Sequence, residues 1–301
     1  MRTTRGIFAA LAAAVGSATA GCVRPATPVT DEHAGHDMTA MATSAASLQQ
    51  TAGIPAGGTA AAERLAKSPR HSEWVSIKVG DRDSVMAWVV YPERRDKAPV
   101  VVAIHENTGI NTWTRGVADQ LAADGFIGIA PDLTTMFRNI VLTADPTREE
   151  GGAAIRRVTP EIANRIIDAV AKYGMSLPAA QPKYGIVGFC WGGARSFHHA
   201  THAPSLGASV VYYGSPPTAA EMAAIRAPVL GLYGGNDARI NATIPATDST
   251  MKALGKSYEY HIFDGAGHGF LRAQDGTPAN AAASVQAWPK TIAFLRAKLG
   301  R

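Results

Sequence analysis

Cysteine is nearly absent: the 301 residues contain two, Cys22 and Cys190. Cys22 falls at the end of an export segment, where it is either removed or lipidated, so no disulfide is left for the mature protein. Runs of one charge are missing as well. The net charge is +5, but the basic residues are scattered along the chain. With no stripe of lysine or arginine to track phosphates, nucleic acid is not an expected partner. Internal repeats are lacking, and no composition shift after residue 68 marks off a second domain. Arg2 and Arg5 are not adjacent, which argues against a twin-arginine signal.

What is present at the N-terminus is Arg2 and Arg5 followed by a small-residued apolar stretch over residues 6–20. It is too short for a membrane span and predicts an export signal over residues 1–21. Thr19-Ala20-Gly21-Cys22 resembles a bacterial lipoprotein processing box, with Thr19 where that pattern usually has Leu. Lipidation of Cys22 with membrane attachment is one reading, and ordinary cleavage near Ala18 to Ala20 is the other. Both imply an exported protein, in the bacterial periplasm or held to a membrane as a lipoprotein. Residues 22–67 are rich in Ala, Thr, Gly, Pro and Ser and lack apolar periodicity, which predicts a disordered tether. Within it His33, His36, Asp37, Met38 and Met41 gather groups that suit a late transition metal. A solvated linker is the plainer reading, because no preformed geometry is visible. No resident metal and no cofactor are expected.

Residues 68–301 read as one α/β domain. Residues 74–79 alternate apolar and polar side chains, Gly80-Asp81 makes a turn, and residues 85–91 return, which predicts a leading antiparallel hairpin. Residues 99–104 form a β-branched run typical of a parallel strand covered on both faces. Asn111 or Thr112 caps a helix carrying Trp113, Val117 and Leu121, and Gly125 ends it. Residues 126–130 form another buried strand. The polar stretch over residues 133–159 reads as an insertion or lid. Ile162, Ile166, Ile167 and Val170 mark a further helix. Later strands are expected at residues 208–213, 228–233 and 258–263, with helices near residues 246–254 and 281–299. The fold class is therefore α/β: a mostly parallel central sheet with helices on both faces.

Gly188-Phe189-Cys190-Trp191-Gly192-Gly193 lies between an apolar strand and a helix-tolerant stretch. This is the setting of a nucleophile elbow, a turn so sharp that only small residues fit two places before and after the nucleophile. The helix that follows aims free N–H groups at the turn, which favours a thiolate at Cys190. A buried inert thiol is the alternative, and it fits poorly between those glycines. Asp237 and His268 follow two later strands, so nucleophile, acid and histidine occur in the α/β-hydrolase order. Asp132 and Asp264 also follow strands and rival Asp237. His198 and His202 share a helix face as a metal pair would, yet they lack an intervening Glu and a third ligand.

On these motifs, together with His105-Glu106-Asn107-x-Gly109-Ile110-Asn111, Gly235-Asn236-Asp237 and Gly267-His268-Gly269-Phe270, the chain resembles the dienelactone hydrolase family over about residues 74–299. The resemblance implies a Cys-His-Asp hydrolase of a lactone or carboxylic ester, a small-molecule substrate, acting through a thioester acyl-enzyme as a monomer. Cys190 would attack the carbonyl, His268 would move protons and Asp237 would orient it. Glu106 corresponds to an extra acid held from the thiol until substrate arrives. Backbone N–H groups of Trp191 and Asn107 would form the oxyanion hole, and Arg272 would hold a substrate carboxylate. A second such arginine is open among Arg138, Arg148 and Arg156. His105 departs from the glutamine of the chlorocatechol-pathway enzymes, and the export segment is unlike those cytoplasmic proteins. A general carboxylesterase or thioesterase of the cell envelope, or a metal-binding envelope protein, remains as an alternative.

Overall fold

The computed structural model describes residues 53–300. The export signal, Cys22 and the His33 to Met41 cluster lie outside the described residues. Within them, the expected hairpin is β1 (Ser72–Lys78) paired antiparallel with β2 (Ser84–Val90), in a register that sets Trp74 opposite Trp88 and Ile77 opposite Val85. It leads an eight-stranded sheet with β3 (Ala98–Ile104), β4 (Ile127–Pro131), β5 (Ala180–Phe189), β6 (Ala208–Tyr212), β7 (Val229–Gly234) and β8 (Tyr258–Phe263). The strands are ordered β1-β2-β4-β3-β5-β6-β7-β8, antiparallel from β1 through β4 and parallel elsewhere.

All seven residues of β3 are buried, as a strand covered on both faces requires. On one face Val100, Val102 and Ile186 meet Ile166, Ile167 and Val170 of the helix Pro160–Ser176. On the other, Val101, Val187 and Phe189 meet Trp113, Val117 and Leu121 of the helix Thr112–Ala123, and Trp288 and Leu295 of the helix Pro278–Leu299. Caps fix where these helices begin. Asn111 accepts from Thr114 N–H, Thr159 accepts from Ile162 N–H ahead of Pro160, and Thr277 does the same ahead of Pro278. In chain order the helices are α1 (Ala61–Ala66), α2 (Thr112–Ala123), α3 (Arg148–Ile155), α4 (Pro160–Ser176), α5 (Trp191–His202), α6 (Ala219–Met222), α7 (Ala238–Asn241), α8 (Ile244–Ala253) and α9 (Pro278–Leu299).

The tether expected over residues 22–67 ends sooner. Ile54, Ala56 and Ala61 are buried in the same core as Trp113, Phe270 and Leu271. Residues 61–66 form α1. The folded domain thus includes residues 53–67, held by the buried Ile54, Ala56 and Ala61 and by bonds to the carbonyls of residues 54–56. The insertion over residues 133–159 carries a 3-10 turn, Thr135–Phe137, and α3, which a Thr147–Glu150 capping box starts. Gly151 of α3 touches the Thr108 carbonyl, so the insertion lies against the loop after β3.

Candidate active site

The chain leaves β3 for β4 on one side and returns to β5 on the other, so the carboxyl ends of β3 and β5 flank a switch point in the sheet. Ile104 and Gly188 are register partners there, which sets Glu106 and Cys190 on neighbouring loops. At the end of β5, Cys190 has φ 55° and ψ −113°, a strained conformation for a residue with a Cβ. Only glycine fits around it: a Cβ on Gly188 would overlap the Gly192 carbonyl, and one on Gly192 the His105 carbonyl. The elbow read from the sequence is therefore formed by close backbone approach of β5, α5 and the β3 loop.

Cys190 is half-buried. Trp191 directs its backbone N–H to the thiol and the Arg239 cation helps, but burial and the negative charge of Glu106 outweigh them and push the thiol pKa up. The expectation that the helix start would favour a thiolate is thus reversed at rest. Among the described residues no hydrogen bond joins the Cys190 thiol to His268.

Asp237 and His268 are brought together. The His268 Nδ1–H donates to Asp237 Oδ2 at 2.5 Å, with the carboxylate buried and the ring about a third exposed. That bond fixes the tautomer and leaves Nε2 as the proton acceptor. Backbone bonds between the two loops hold it: Gly235 N–H donates to Phe263 O at 2.8 Å and Asn236 N–H to Ala266 O at 2.9 Å. Asn280, which the sequence reading did not single out, takes the Gly267 N–H at 2.9 Å and steadies the histidine loop. The rival acids are elsewhere. Asp132 is fully buried against Arg138 and Thr134, and Asp264 is an exposed residue after β8.

Glu106 points to Arg272, whose Nε–H donates to Oε2 at 2.5 Å. Burial pushes the Glu106 pKa up, against the pull of Arg272 and His268. The Asn107 N–H has no partner among the described residues. Beside Glu106 stands Tyr213, missed in the sequence because it closes an apolar strand. Its φ is +41°, its ring centroid is 5.0 Å from that of His268, and its fully buried hydroxyl has no hydrogen-bond partner.

The loop bearing Glu106 is braced from below. His105, buried completely, donates its Nδ1–H to the Glu106 carbonyl at 2.7 Å and accepts the Leu133 N–H at Nε2, 3.1 Å away. Burial lowers its pKa, so the ring is neutral. Its plane stacks on Trp191, with centroids 5.7 Å apart. Arg138 is paired with Asp132 at 2.7 Å, as Arg272 is with Glu106. The helix histidines find separate partners: His198 with Glu221, His202 with Asp168, and buried His199 with Asn164 and Tyr184. Among the described residues no cluster suits a metal ion, and no helix is long and apolar enough to cross a membrane.

A mostly parallel sheet with a nucleophile elbow and an acid–histidine pair on later strand ends defines a hydrolase of the α/β-hydrolase fold. The sequence model of the dienelactone hydrolase family matches residues 85–299, and the chain belongs to that family. It is 30% identical over 235 residues to a Salmonella typhimurium protein named "Putative carboxymethylenebutenolidase", covering 72% of this chain and 86% of that one. Among solved structures it is similar to a dienelactone hydrolase-like promiscuous phosphotriesterase from metagenomic libraries, with TM-score 0.66, 20% identity, and 77% and 99% of the two chains covered. A dienelactone hydrolase from Anabaena variabilis aligns with TM-score 0.59 and 20% identity over 76% of this chain and 99% of that one.

Proposed function

We propose that this protein hydrolyses a carboxylate-bearing lactone or ester through a thioester on Cys190. The observation that carries the reading is the pairing of Glu106 with Arg272 beside a thiol held protonated at the elbow. A substrate carboxylate competes for the Arg272 guanidinium and frees Glu106, whose carboxylate then takes the proton from the Cys190 thiol. The thiolate attacks the acyl carbon, and the oxyanion settles between the N–H groups of Trp191 and Asn107. The C–O bond breaks, the leaving oxygen takes the proton back from Glu106, and the acyl group stays on Sγ. Water then attacks the thioester while His268 Nε2 accepts its proton, with Asp237 stabilising the imidazolium. Collapse expels the thiolate, and His268 returns the proton to it. A lactone yields a single ring-opened acid that carries the freed alcohol or enol, and an open ester yields a carboxylic acid and an alcohol.

Residues 1–22 add an exported setting, in the periplasm or at a membrane through a lipidated Cys22. Dienelactone and short p-nitrophenyl esters assayed side by side, with intact-mass detection of an adduct on Cys190, test the reading. Preferred turnover of the lactone with a transient acyl mass supports it. Turnover of the simple esters alone reduces the protein to a general carboxylesterase, and no adduct with either removes the cysteine route.

A further inference from the structure

Arg272 is gripped from both ends. Its guanidinium reaches Glu106, while its own carbonyl accepts the Gly58 N–H at 2.7 Å. Gly58 also lies along its stem: a Cβ there would come within 3.2 Å of Arg272 Cγ. The backbone at Gly58 is thus the wall on which the Arg272 side chain rests, and absence of a side chain there is what lets the stem lie so close.

The segment that leads to Gly58 is itself fastened at successive carbonyls by side-chain donors, two of them buried. Arg64 Nη1–H donates to Ile54 O at 2.5 Å, Gln274 Nε2–H to Pro55 O at 2.9 Å, and Trp113 Nε1–H to Ala56 O at 3.0 Å. Gln274 belongs to the same loop as Arg272, and Trp113 packs edge-on against Phe189, the residue before the nucleophile, with centroids 4.9 Å apart. A plain surface cover needs none of these links to the histidine loop and the elbow. The segment precedes residues 85–299, which the family model matches, so this support is a feature outside the matched region.

We infer that residues 54–60 are a positioning strap of the active site, with Gly58 fixing the place of Arg272 and thereby holding Glu106 away from the Cys190 thiol. The inference rests on the proposed function for its meaning in turnover, but its geometric part can be tested without any ester. A side chain at 58 pushes the Arg272 stem off the strap and loosens the Glu106 ion pair. That carboxylate, which while turned to Arg272 only repels the thiolate, then turns to the thiol and accepts its proton as the thiol reacts.

The test uses the full chain carrying Gly58→Val, with Gln274→Met as a second variant that releases the strap at Pro55, and with it the bond to the Leu271 carbonyl, while adding no bulk at Gly58. Iodoacetamide labelling is followed by peptide mass at Cys190, so that Cys22 does not contribute, and thermal midpoints are recorded alongside. Labelling of Cys190 at neutral pH is expected to rise about threefold or more in Gly58→Val, and in the same direction but less in Gln274→Met. The ratio of kcat/KM for a carboxylate-bearing ester to that for an uncharged one is expected to fall about tenfold in Gly58→Val, chiefly through KM. A lowered thermal midpoint with unchanged labelling and an unchanged ratio overturns the inference and leaves the strap a structural cover. If the wild type turns over no ester while labelling still rises in both variants, the proposed function fails and the strap stands.

Discussion

Arg272 and Glu106 form an ion pair at 2.5 Å, and that same glutamate charge is among the causes that keep Cys190 protonated. One carboxylate therefore restrains the thiol at rest and, in the proposed mechanism, is also the base that releases it. Removing its charge separates these effects. In Glu106→Gln the resting thiol pKa falls, since the negative charge that disfavours the thiolate is gone, so the pH profile of iodoacetamide labelling at Cys190 shifts toward neutrality. Turnover moves the other way: kcat/KM drops about a hundredfold, because the amide cannot accept the thiol proton. In the wild type, labelling stays slow at neutral pH and climbs only above the ordinary thiol range, as burial and Glu106 dictate. Parallel falls in labelling and turnover in the variant would remove Glu106 as the restraint.

The buried pair Asp132–Arg138 is a bracket between the loop after β4 and the end of the 3-10 turn. Replacing Arg138 by Met leaves the fully buried Asp132 carboxylate with only Thr134 and backbone donors. The expected cost is about 3 kcal/mol in unfolding free energy, because an unpaired buried charge is left behind. Urea denaturation measures it. Because Asp132 also approaches the Ile110 N–H at 3.5 Å, the loop after β3 is loosened too. An unchanged midpoint with weakened binding of anionic esters would instead return Arg138 to the substrate.

Much of this site is written in local sequence, and the limits have physical causes. Gly188 and Gly192 announce the elbow because no other residue survives so close a backbone approach. His268 and its flanking glycines are equally plain. The choice of Asp237 over Asp132 is not, since a carboxylate at a strand end looks the same whether it faces a histidine or an arginine. The strap escaped for a different reason. Its bonds are accepted by the carbonyls of Ile54, Pro55 and Ala56, and every residue has a carbonyl, so an Ala, Gly and Pro-rich composition hides them. The protonation of Cys190 depends on depth and on the reach of Glu106, neither of which spacing records. For the sheet, alternation and β-branched runs located all the strands, because each period maps directly onto faces that the core must cover.

Tyr213 carries a cost that a single atom explains. Its hydroxyl is buried with no partner, while its ring packs on His268 and Phe270. Burial pushes its pKa well up, so the group stays a neutral phenol. Tyr213→Phe keeps every ring contact and deletes only the unpaired polar atom. Stability is expected to rise by about 1 kcal/mol, the scale of an unsatisfied buried group. Thermal and urea unfolding check this, and a clear loss of stability would mean that the hydroxyl is satisfied in solution.

Cys190 joins the nucleophilic role proposed for it to backbone strain, and two substitutions at that position pull them apart. Cys190→Ala and Cys190→Gly both remove the thiol, so both lower kcat by at least about a thousandfold if the thioester route holds, leaving only the oxyanion hole and binding. They differ in the fold. At φ 55° and ψ −113° alanine keeps the strain of a Cβ and glycine loses it, so Cys190→Gly should be the more stable of the two by about 1 kcal/mol despite the added freedom of its unfolded chain. Equal stabilities would mean that the elbow relaxes once the thiol is gone. An active Cys190→Ala protein would end the covalent mechanism outright, while the stability difference would still report the strain at the turn.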